Sequence, residues 1–183
     1  MARVCFCHGL ESGPEGYKSR SLVRAGYEVI APDCRGQDLE TRVVTIANTL
    51  RAAVGEPRGG DRPTSSKDSG LVVVGSSFGG IAGLLACMEL AREQVRVLGL
   101  VLCAPALQLY QPPADTQTLT APAPTIVVHG RGDEIIPHSV SEAFAAREHA
   151  FPVELWSVED GHGLRHSHPV MLRAVARLLG EGC

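Results

Sequence analysis

The chain has 183 residues, a length that gives one domain ample material for a hydrophobic core. Hydrophobic residues make up 44% of it and charged residues 20%, and a net charge of −3 points to neither nucleic acid nor an anionic membrane as partner. No apolar run approaches membrane-spanning length, so membrane insertion is not expected.

Arg3 to Cys7 reads as a first strand that runs straight into His8-Gly9-Leu10-Glu11-Ser12-Gly13-Pro14, not as a signal peptide. Tyr17 to Ala25 predicts a short helix closed by Gly26, and Glu28 to Ala31 the next strand. The turn that follows, from Pro32 to Asp38, is assigned no chemistry. Leu39 to Val54 carries apolar residues at 39, 43, 46, 47, 50 and 54, close to helical period. Gly55 to Gly70, rich in Gly, Pro, Ser and charge, predicts an exposed and mobile loop. Six cysteines raise the question of disulfides, but Cys5 and Cys7 sit on one strand, Cys87 in an apolar helix and Cys103 in another strand. With no Cys-x-x-Cys present, buried reduced thiols in a cytoplasmic protein are the expectation.

Leu71-Val72-Val73-Val74 is a buried strand too short to be a helix, and Gly75-Ser76-Ser77-Phe78-Gly79 follows it at once. A helix-rich segment, Ile81 to Arg92, comes next. Strand, Gly-x-Ser-x-Gly, helix is the context of a nucleophile elbow, a sharp turn that lifts a serine hydroxyl clear of the backbone. The frame puts Ser77, not Ser76, at the apex. A phosphate-cradling loop is the rival, but the glycines do not fall as Gly-x-Gly-x-x-Gly and no Gly-Lys-Ser/Thr follows. A plain Gly/Ser turn between any strand and helix is the other.

Val97 to Cys103 is a further strand. Ala106 to Pro124 has room for a loop or one short helix, and its prolines argue against long regular structure. Thr125 to His129, Ser139 to His149, Val153 to Val158 and Pro169 to Leu179 complete the alternation as strand, helix, strand and helix. About six strands alternating with helices through right-handed crossovers predict an α/β protein with a doubly wound, mostly parallel sheet. No internal repeat is visible, and the whole chain, 1–183, is expected to be a single domain.

Two further stretches carry chemistry. One strand ends in His129-Gly130-Arg131-Gly132-Asp133-Glu134-Ile135-Ile136-Pro137, and the last strand leads to Val158-Glu159-Asp160-Gly161-His162-Gly163. Together with the elbow and the His8-Gly9 turn, these resemble the α/β-hydrolase superfamily, most closely its small serine esterases with little or no cap domain. The order Ser77, Asp133, His162 is that superfamily's Ser…Asp…His order. The resemblance implies a minimal hydrolase fold without a cap and a catalytic triad of Ser77, Asp133 and His162. It also implies an oxyanion hole made by the backbone N–H groups of Leu10 and Phe78.

Glu134 is the nearest rival for the acid. A metal site on His162, His166 and His168 is a weaker reading, because no thiolate or carboxylate shell accompanies them. The resemblance further implies a small-molecule acyl substrate, ester or thioester, and no cofactor. Leu10, Phe78, Ile135 and Ile136 are expected to wall the acyl pocket, with Leu107, Leu109, Tyr110 and Leu119 lining the place where larger relatives carry a cap. A non-catalytic scaffold or binding protein on the same fold is the alternative from another class.

Overall fold

A computed structural model describes residues 2–54, 70–111 and 118–181. Six strands form one sheet, all neighbours parallel, in the order β2-β1-β3-β4-β5-β6. In chain order these are β1 (Arg3–Cys7), α1 (Tyr17–Arg24), β2 (Glu28–Ile30), α2 (Leu39–Val54), β3 (Leu71–Ser76), α3 (Phe78–Arg92), β4 (Gly99–Cys103), β5 (Thr125–Gly130), α4 (His138–Ala145), β6 (Val153–Val158) and α5 (His168–Leu179). A single 3-10 turn, Leu107–Leu109, lies among the described residues between β4 and β5. The predicted loop at 55–69 falls outside the described residues, as do residues 112–117.

The alternating side chains of β1 show how both faces of the sheet are used. Cys5 and Cys7 point into one core with Ile46 and Leu50 of α2, Ile81 and Leu84 of α3, and Phe144 of α4. Val4 and Phe6 point into the other with Leu22 of α1 and Met171, Ala174 and Val175 of α5. Helices therefore cover both faces, which is why β3 and β4 read as unbroken apolar runs and every residue in them is buried. Full burial of Leu50 or Ile46 contributes about 1.5–3 kcal/mol each.

From β1 the chain first steps outward to β2, then crosses back over β1 to β3, and from there runs steadily in the other direction. The winding thus reverses between β1 and β3. Open α/β sheets carry their clefts at such a switch point, outside the carboxyl ends of the strands.

Several boundaries differ from the sequence reading. α3 begins at Phe78, three residues earlier, because Gly79 and Gly80 are helical. α4 ends at Ala145 and not near His149. There His149 Nε2–H donates to the Phe144 carbonyl (2.8 Å) while its Nδ1 accepts from Ala121 N–H (3.1 Å), so the side chain closes the helix end. Cys5, Cys7, Cys34, Cys87 and Cys103 are free and buried.

Candidate active site

The turn from β3 into α3 holds Ser77 at φ 54°, ψ −118°, a backbone conformation an L residue adopts only under constraint. The constraint is visible: Ser77 N–H donates to the Cys103 carbonyl (2.9 Å), and the Ser77 carbonyl accepts from Gly80 (2.9 Å) and Ala106 (3.0 Å). Two glycines make the turn possible. A Cβ on Gly75 would lie 2.7 Å from both the Gly79 carbonyl oxygen and the Gly80 Cα, and a Cβ on Gly79 would run into the Cys7 and His8 carbonyls at the end of β1. The elbow is therefore locked against the loop that carries Leu10.

β5 and β6 deliver the other two side chains. Their loops are stitched together, Arg131 N–H donating to the Val158 carbonyl (2.8 Å) and Gly132 N–H to the Asp160 carbonyl (3.1 Å). His162 then stands between Ser77 and Asp133: Nε2 is 3.0 Å from Ser77 Oγ and Nδ1 is 2.8 Å from Asp133 Oδ2. The Asp133 side chain is fully buried and that of His162 is 21% exposed. Asp133 Oδ1 accepts from the N–H groups of Ile135 (2.9 Å) and Ile136 (2.8 Å). Burial alone would raise the carboxyl's pKa, but the N–H groups of Ile136 and Ile135 and the His162 side chain outweigh it and hold the carboxyl below its ordinary value. Glu134, by contrast, is exposed.

Phe78 N–H opens α3, where no turn of helix precedes it to supply an acceptor. Leu10 lies in the loop after β1 and is 61% exposed. Beside them His8 is buried and neutral, its pKa lowered by desolvation; Nδ1–H donates to the Gly9 carbonyl (2.8 Å) and Nε2 accepts from Cys34 N–H (2.9 Å). Of the apolar walls expected from the sequence, Ile136, Leu107 and Leu119 are sunk in the core. Leu10, Ile135 and Leu109 remain exposed, and Phe78 and Tyr110 are half-buried. His162, His166 and His168 do not converge. His166 is 90% exposed, His168 Nδ1 meets the Tyr17 hydroxyl at 2.9 Å, and among the described residues no group of His, Cys, Asp or Glu is placed to hold a metal.

Three residues near the site were not singled out in the sequence. Asp160 accepts from Gly161 N–H through Oδ1 (2.8 Å) and from His166 and Ser167 N–H through Oδ2 (2.8 and 2.9 Å), which fixes the loop bearing His162. Arg42 is completely buried. Its Nη1 donates to the His8 carbonyl (2.9 Å), its Nε to the Gln37 carbonyl (3.2 Å), and its guanidinium lies 4.8 Å above the centre of the Phe78 ring. The signal for it was its position, three residues after Leu39 and four before Ile46 on the apolar face of α2. The third is His129, at the end of β5, whose Nε2 lies 3.1 Å from Asp133 Oδ2.

The fold is shared with known proteins. A structure of a member of the α/β superfamily from Xanthomonas campestris pv. campestris is 24% identical, covers 100% of both chains and superposes with a TM-score of 0.71. Est1E from Butyrivibrio proteoclasticus is 18% identical over 98% of this chain and 87% of its own, with a TM-score of 0.70. An α/β serine hydrolase homologue from Coxiella burnetii is 19% identical over 100% of this chain and 85% of its own, with a TM-score of 0.67. At these identities the likeness is one of fold. No curated protein matches the sequence. The family model described as "Alpha/beta hydrolase family" matches residues 6–123, from the first strand through the elbow to the approach of β5, and the chain belongs to that family.

Proposed function

We propose that the protein is a serine hydrolase, a carboxylesterase or thioesterase that cleaves small acyl substrates through an acyl-enzyme. The observation that carries this reading is the continuous hydrogen-bonded chain from Ser77 Oγ through His162 to Asp133, anchored on a serine held at positive φ.

In the first half-reaction Ser77 Oγ attacks the carbonyl carbon while His162 Nε2 takes the hydroxyl proton. Asp133, an anion held by the two N–H groups on Oδ1, keeps the remaining imidazole proton on Nδ1 and stabilises the imidazolium. The carbonyl oxygen becomes an oxyanion, and the Phe78 and Leu10 N–H groups are the donors assigned to it; backbone donors suit this task because they are rigid and cannot ionise. His162 then returns the proton to the departing alcohol or thiol. In the second half water attacks the acyl carbon by the same route in reverse, regenerating Ser77. Leu10 and Ile135, on the loops that carry the assigned oxyanion donor and Asp133, are exposed and offer little apolar depth, which favours a short acyl group.

A fluorophosphonate probe tests the reading, because it forms a covalent adduct only with an activated serine. Stoichiometric labelling of the native chain is the expected result. A folded chain that stays unlabelled would instead assign it to the non-catalytic members of the fold.

A further inference from the structure

His129 is buried to 0% exposure as the penultimate residue of β5, and both of its ring nitrogens are engaged. Nε2 lies 3.1 Å from Asp133 Oδ2 and 3.1 Å from the Ile136 carbonyl oxygen, both acceptors, so the ring proton sits on Nε2. Nδ1 is then the acceptor, 2.7 Å from Ser141 Oγ on α4, whose hydroxyl donates to it. Burial lowers the pKa of this histidine, in keeping with a neutral ring of fixed tautomer.

Asp133 Oδ2 thus accepts from two imidazoles, His162 on one side of the chain of contacts and His129 on the other. The terminal torsion of an aspartate is broad, so the side chain alone does not set the plane of its carboxylate. Two N–H groups on Oδ1 and the His129 Nε2–H on Oδ2 set it from outside, and one direction on Oδ2 is left for His162.

Resting on the serine-hydrolase reading, we propose that His129, held by Ser141, is a positioning residue that fixes the Asp133 carboxylate for His162. It touches neither the substrate nor Ser77 and acts through Asp133 alone. That route predicts a specific pattern of energetics. Removing the His129 donor slows the chemistry when Asp133 is a carboxylate, and does nothing further once Asp133 is no longer one.

The test is a double-mutant cycle on the rate of fluorophosphonate labelling, with turnover of a short nitrophenyl ester measured beside it. His129→Leu is expected to slow labelling about tenfold and to lower kcat with KM little changed, the size expected for loss of one hydrogen bond to a buried carboxylate. His129→Gln, whose side-chain N–H can replace Nε2–H, should recover most of that loss. Ser141→Ala should produce a smaller loss in the same direction, and supplies the test if His129→Leu does not fold. In an Asp133→Asn background each substitution should change the rate less than twofold. Full additivity with Asp133→Asn, or native rates in both His129→Leu and Ser141→Ala, would overturn the assignment while leaving the serine-hydrolase reading intact. An unlabelled native chain would overturn both.

Discussion

Ser77 is held where its backbone does not want to be, and that can be measured apart from catalysis. Replacing it with alanine or with glycine removes the hydroxyl in both cases, so both variants lose the 3.0 Å contact with His162 Nε2. They differ only in the Cβ, which at φ 54°, ψ −118° places an L residue in a sparsely populated region at a cost of about 1–3 kcal/mol. Glycine adopts this conformation freely. Its gain is offset by the greater freedom of an unfolded glycine, about 0.4–1 kcal/mol. Ser77→Gly should therefore be more stable than Ser77→Ala by about 1 kcal/mol, or roughly 2–4 °C in Tm for a chain of this size. Urea and thermal unfolding of the two variants, with circular dichroism as the readout, give the difference directly. If the alanine variant melts at or above the glycine variant, the turn is not strained and the bonds to Cys103, Gly80 and Ala106 are not holding it against a preference.

Gly79→Ala should be severely damaging to stability and activity together, because its Cβ meets the backbone carbonyls of Cys7 and His8, which cannot move aside as a side chain could; soluble, native-like melting would contradict this packing. His162→Ala should lower kcat by several orders of magnitude, whereas His166→Ala and His168→Ala should stay within a few-fold of native in the same ester assay. Asp133 and Asp160 both titrate below the ordinary carboxylate range, where their backbone N–H donors outweigh the effect of burial. Near pH 4 and below the unfolded chain then binds protons that the folded chain does not. Stability should rise with pH through that window and be lost as pH falls through it, and urea titrations of Asp160→Asn should show a flatter acid limb than native. In a nitrophenyl ester series from acetate to palmitate, kcat/KM should hold or rise over short acyl chains and then stop. Each further methylene gains up to about 0.8 kcal/mol only if buried, and the apolar side chains left exposed here, Leu10 and Ile135, bury little.

Where the sequence was legible, the signal was local. Four apolar residues before Gly75, the spacing around Ser77, and the His-Gly pairs after β1 and at the end of β5 each state their conformation within ten residues. The parallel sheet followed from alternation alone. What was not legible depends on partners far along the chain. Arg42 lies on the apolar face of α2, which hints at burial, yet its partner is the His8 carbonyl 34 residues away, and a carbonyl leaves no mark in a sequence. The helix-rich segment expected from Ile81 in fact starts three residues earlier, and takes in Gly79 and Gly80. They are glycines because β1 and the Pro105 turn pack against the helix there, which no local propensity records. Ile136, Leu107 and Leu119 were expected near the mouth of the site because the family resemblance puts their loops there, but an apolar residue in a loop is drawn into whatever core lies beneath it.

Acyl transfer to Ser77 can be seen by trapping the acyl group on the protein. The protein is mixed with a nitrophenyl ester of a short acid, quenched in acid within the first turnovers, digested, and its peptides weighed. The acyl mass should appear on the peptide bearing Ser77, persist in Ser76→Ala and vanish in Ser77→Ala. An acyl group on Ser76, or turnover that continues in Ser77→Ala with no acylated peptide, would contradict it.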